Sequence, residues 1–172
     1  MSGTALTIVL RLVHILAGIF WVGSIFLLVG FLAPAVRASG PEAGRFMQHL
    51  MLRRRLSASL GIAMGLTVLS GIAMYARLAS ATHGAWAGSR PGIVFGFGGL
   101  AAILGGIVGG MISGPTARKM VALGQEAAQR GGLSADQQVE MARLQSRSAF
   151  ASVLTAALLL VAATAMAVAR YL

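Results

Sequence analysis

The chain has no cysteine and only four acidic residues among 172. The first absence excludes disulfides, thiolate-bound metal, cysteine-held iron–sulfur clusters and a cysteine nucleophile. It carries no information about redox compartment. The second leaves few carboxylates for acid–base work. All four (Glu42, Glu126, Asp136 and Glu140) lie outside the long apolar runs, so a relay of intramembrane Asp and Glu is absent. Histidine is scarce too, at three residues. No phosphate-cradling or dinucleotide-type glycine pattern falls in a strand–helix context. Ser, Thr and His do not assemble into a hydrolase constellation, and no internal repeat or soluble domain is visible.

What is present is apolar. The sequence is 57% hydrophobic and 10% charged, with a mean hydropathy of +0.82. A soluble domain of this length needs more polar surface, so lipid is the expected solvent. A bilayer is crossed by roughly 20 apolar residues. Four such runs occur, at about 6–36, 56–75, 93–113 and 150–169. Helices are expected, because each backbone polar group must be satisfied within its own segment. The expected fold is therefore all-α: one integral membrane domain over 1–172, a four-helix transmembrane bundle. The first run is unbroken from Leu12 to Val36. That is too long for a signal-peptide core, and the segment is expected to be retained.

The net charge of +10 could indicate nucleic acid, but the cations flank the apolar runs and fit lipid headgroups instead. No nucleic-acid partner is expected. Ten of the fourteen basic residues lie in 37–55 and 114–149. The positive-inside rule makes those loops cytoplasmic and puts both termini on the outer side of an inner (plasma) membrane. The loops themselves read as helical extensions. "SGPE" (Ser39 to Glu42) is a capping-box pattern with proline in the first turn, opening a helix that runs on through Arg53–Arg55 into the second span. "SADQ" (Ser134 to Gln137) repeats the pattern ahead of the fourth span, and "RGG" (Arg130 to Gly132) reads as a helix stop. Trp86, in the short loop between spans two and three, fits an interfacial belt.

Glycine is plentiful, at 23 residues. The third span carries Gly98, Gly99, Gly105, Gly106, Gly109 and Gly110, and the second carries Gly61 and Gly65. Lipid offers helices no hydrophobic reason to associate, so small residues that let backbones approach are the expected packing faces. They also make a homo-oligomer, or docking onto a larger membrane complex, an expectation. Pro115 marks a kink or boundary at the end of span three.

One ionisable residue sits well within a span: His14, in "RLVHILAGIFWVGSIF" (Arg11 to Phe26). Positions 11, 14, 18 and 21 share a helix face. Arg11 precedes His14 by one turn, and Gly18 and Trp21 follow it. A neutral imidazole ligates haem iron well, and an adjacent glycine leaves room for a flat macrocycle. Arg11 could pair with a propionate. Against this stands a plainer reading, in which His14 bonds a neighbouring helix and Trp21 packs. No second histidine lies in a span, so a second axial ligand would be Met74 or Met166, each also a natural gap filler. His83 lies in the loop after span two. A copper site needs soft ligands. Met47, His49 and Met51 offer them, but residues two apart on a helix do not face one another. That stretch reads as an amphipathic extension.

"LRLVHILAGIFWVGSIFLLVGFLAPAV" resembles the first helix of the CopD-like membrane domains, with its His, its Trp-Val-Gly seven residues on, and its Ala-Pro end. It is also similar to the HemJ-type protoporphyrinogen oxidases, small four-helix membrane proteins. "RRRLSASLGIAMGLTVLSGIAMY" matches the Arg-rich start and Gly-ended second helix of both groups. The HemJ resemblance implies haem b on His14 and porphyrin oxidation with electrons passed to an acceptor. The CopD resemblance implies copper passage across the membrane. The sequence departs from HemJ after Trp21, where it has "FLLVGFLAPAV" in place of a polar and aromatic run. Three functions are therefore expected: a haem b protein in electron transfer or porphyrin oxidation, a copper transport or resistance protein, or a cofactor-free accessory subunit.

Overall fold

The computed structural model describes residues 3–172, apart from the side chains of Pro41, Glu42 and Leu52. Among the described residues all regular structure is helical. Helix α1 spans Gly3–Leu27, α2 Ala33–Ser39, α3 Pro41–Gln48, α4 Leu56–Ala81, α5 Arg90–Val108, α6 Gly114–Arg130 and α7 Ala135–Val168. Four stretches are long and apolar enough to cross a membrane: Gly3–Ser39, Leu56–Ala81, Arg90–Arg130 and Ala135–Tyr171. At 1.5 Å per residue the 41-residue third stretch is roughly 60 Å long, about twice a bilayer's hydrocarbon core. The helices thus run on past the apolar layer, as the loop sequences led us to expect.

Two of the long stretches widen just before a proline. A π-helical turn at Leu28–Leu32 precedes Pro34, and the Ala33 amide reaches back to the Leu28 carbonyl. A second, at Gly109–Ser113, precedes Pro115. Proline lacks the amide and its ring crowds the carbonyl four residues back, and a wider turn relieves both without ending the helix. Pro115 is therefore absorbed in a continuous rod.

The basic segment 37–55 differs from expectation in two respects. Ser39 does not cap α3, because its own backbone is still helical and Gly40 takes the cap position with φ +76°. That conformation favours glycine. Nor does the helix continue into the second span. Arg55 adopts a left-handed backbone (φ 55°), which separates the π-helical turn His49–Arg53 from α4. Three cations in a row repel one another, and the break lets each side chain reach solvent. At the other basic loop the expectation holds. Ser134 and Gln137 form a reciprocal capping box. Gly131, in the left-handed conformation, ends α6, and the Gly132 amide bonds Ala127.

Packing follows the chain. Helix α1 lies along α4, α4 touches α5, α5 lies along α7, and α7 returns to α1. The result is a ring of four antiparallel helices in chain order. Its centre is small-residue packing around one aromatic: Trp21, 3% exposed, among Ala63, Ala101, Ala102, Leu159 and Ala162. The large apolar side chains mostly point outward; Ile8, Leu12, Ile15 and Ile19 of α1 are all exposed. That inversion is expected where lipid is the solvent. At the 82–89 end, Trp86 lies edge-on to Tyr75 at 5.1 Å and near Phe95 at 6.0 Å, and the Tyr75 hydroxyl donates to the Gly92 carbonyl.

Candidate functional site

Helix α1 presents His14 to the central turns of α4. His14 Nδ1 lies 2.8 Å from the Thr67 carbonyl oxygen. A carbonyl only accepts, so Nδ1 carries the proton. The Ser70 hydroxyl oxygen, 3.4 Å from the same nitrogen, is a longer second acceptor; its own proton is engaged with the Leu66 carbonyl. The consequence is chemical. In a neutral imidazole protonated at Nδ1, the lone pair sits on Nε2. No described residue is hydrogen-bonded to Nε2.

Two glycines allow the approach. A Cβ on Gly71 would stand 2.9 Å from His14 Cε1 and 3.2 Å from Nδ1, so any side chain there would displace the ring. Gly18, one turn along α1, faces the Thr67 methyl: a Cβ there would lie 3.5 Å from Cγ2. That methyl is held in place because the Thr67 hydroxyl is committed to the Ala63 carbonyl at 2.8 Å. Thr67 and Ser70 are both buried, and His14 is half-buried. The contact is deep. Thr67 is 11 residues past the start of α4 and 14 before its end, about 16 Å and 21 Å along the axis.

The residues expected to share a site are thus distributed. His14 faces α4. Gly18 meets Thr67, so the space beside it is taken by α4. Trp21 lies in the bundle core, with its ring edge near Gly106 of α5. Arg11 is exposed. Met74 is half-buried on α4, one turn beyond Ser70 and Gly71 toward loop 82–89, whereas Met166 packs against Gly98 in the other half of the ring. His49 and His83 are exposed, and Met47 and Met51 are half-buried. Among the described residues no group of three or more His, Asp or Glu converges on one point. Thr67, Ser70 and Gly71 are not among the residues expected from sequence. Their signal was available, as small and polar residues three and four apart in a span.

Comparison with protein-family models, curated proteins and solved structures finds no match.

Proposed function

We propose that this chain is a haem b-binding membrane protein of electron transfer or porphyrin oxidation, with His14 as the iron ligand. One observation carries the reading. The Thr67 carbonyl fixes the His14 tautomer so that Nε2 keeps its lone pair at the centre of a span. A backbone carbonyl on the far ring nitrogen is how proteins commonly orient a metal-binding histidine. The donor chemistry therefore fits a haem iron. His14 would hold the metal, Arg11 would pair with a propionate, and Met74 or Met166 would be the second ligand. Haem would supply one-electron chemistry. The protein's contribution is to hold one imidazole in a fixed orientation in a medium of low polarity. The basic loops 37–55 and 114–149 are read as cytoplasmic, with both termini outside.

A second reading is favoured by a different observation. Thr67 occupies the space beside Gly18, and His14 closes tightly over Gly71. In that reading His14 is an interhelical clasp in a cofactor-free subunit. The test is the absorption spectrum of the detergent-solubilised protein, with metal analysis. A Soret band lost in His14→Ala supports the first reading. A colourless, metal-free protein supports the second, and copper without haem supports the copper reading in place of both.

A further inference from the structure

Helices α1 and α4 flank a shallow, open groove of about 450 Å³. Leu16 and Phe20 line it from α1 and Ser59, Ile62, Ala63 and Leu66 from α4, and we take its mouth as the Ser59 end, nearest the start of α4. From Ser59 to Leu66 is about 10 Å along α4. Its lining residues on α4 run from the first turn to Leu66, next to Thr67 at the middle of the helix. A groove that starts at one end of a span and stops at its centre matches one leaflet's acyl chain. A partner helix needs a track about 30 Å long.

The mouth carries charge. Arg53, Arg54 and Arg55 are exposed, and no ion pair engages them among the described residues. The Ser59 amide donates to the Arg55 carbonyl at 2.9 Å, which places Arg55 directly one turn above the mouth. No side chain caps the start of α4, so its first amides add partial positive charge at the same level. Three guanidinium groups suit a phosphate, which they can grip in bidentate fashion.

We propose that the α1–α4 groove is a site for an anionic phospholipid of the leaflet facing Arg53–Arg55. One acyl chain lies between Phe20 and Ile62, and the headgroup phosphate lies on the arginines. This requires only that the helices cross a membrane, and is independent of any haem. The test is native mass spectrometry of the full chain in mild detergent, titrated with phosphatidylglycerol or with phosphatidylcholine of the same acyl chains. One phosphatidylglycerol should be retained in preference. Replacing all three arginines by glutamine should lower its occupancy at least about five-fold, the effect of even one cation near a lipid surface, and abolish the preference. Ser59→Trp, at an exposed position, should block the mouth and lower the occupancy of both lipids. The charge-matched variant Arg118→Gln/Arg130→Gln/Arg143→Gln should keep the lipid. The proposal is overturned if that control loses as much lipid as the cluster variant, if Ser59→Trp binds normally, or if the groove proves to hold a second copy, seen as a dimer that Ser59→Trp splits.

Discussion

The two halves of the ring join their helices by different devices. Helices α5 and α7 meet through small residues. A Cβ on Gly98 would stand 3.1 Å from the Ala165 Cβ and 3.2 Å from the Ala162 carbonyl oxygen, and Gly105 and Gly109 face Leu158, Leu159 and Thr155. Among the described residues the polar contact there is long, with the Thr155 hydroxyl 3.4 Å from the Gly105 carbonyl. Helices α1 and α4 meet instead around an imidazole, held at 2.8 Å by a backbone carbonyl. In the first pair glycine and alanine set the closest approach, with Leu158, Leu159 and Thr155 packed alongside and no ionisable side chain among these contacts. A histidine is then not needed for assembly, and placing one in a span is costly. The difference is why we read His14 as functional and the α5–α7 seam as structural.

The largest effect should come from breaking the α5–α7 seam. At Gly98 the obstructing atoms are a backbone carbonyl and a Cβ, neither of which can turn aside. Gly98→Leu should destabilise by about 3 kcal/mol, at the upper end of overpacking costs, read as loss of the monodisperse peak on heating in detergent. A variant as heat-resistant as the parent would show that the seam is looser than its distances imply.

A smaller effect is expected at Gly71, where the obstructing atoms belong to a side chain. Gly71→Ala should push His14 off the Thr67 carbonyl at a cost of about 1–2 kcal/mol. The comparison sharpens in a double-mutant cycle. With His14→Ala already in place, Gly71→Ala meets no ring and should cost almost nothing. Additive effects of the two changes would mean that the tight approach at Gly71 involves something other than His14.

His14→Ala alone should cost about 1 kcal/mol, since single hydrogen bonds between helices in lipid are worth about 0.6–1.7 kcal/mol. Loss of a haem spectrum together with so small a change in stability would separate ligand from clasp. A change of several kcal/mol without any spectrum would favour the clasp.

Much of this was legible in sequence, and particular residues show why. The four spans follow from run length alone, and the Ser134–Gln137 capping box from four residues whose contacts are local. His14 stands out because lipid makes any ionisable group conspicuous. Its partners did not, because Thr67 and Ser70 lie 53 and 56 residues away and small polar residues are common in spans. Gly18 looked like room for a macrocycle, but the space beside a glycine belongs to whichever helix arrives there. The same limit explains Ser39. Its motif was complete, but Gly40 could adopt a conformation that moved the helix start by one residue.

Gly61 and Gly65 give the smallest expected effect and the cleanest contrast with Gly98. They are spaced four apart like other close-packing glycines, yet a Cβ on either meets nothing within 4 Å in the chain. Within one copy, Gly65→Ala should therefore be neutral, or stabilising by up to about 1 kcal/mol through helix propensity. Bulk should matter there only if a second chain packs on that face. Gly61→Leu/Gly65→Leu, followed by light scattering of the detergent-solubilised protein, makes the distinction. A homo-oligomer built on this face should fall to monomer mass with its heat resistance otherwise intact, whereas Gly98→Leu should lose the fold first. An oligomer that keeps its mass places the interface on other helices, and leaves Gly61 and Gly65 as lipid-facing residues that spacing alone had marked for packing.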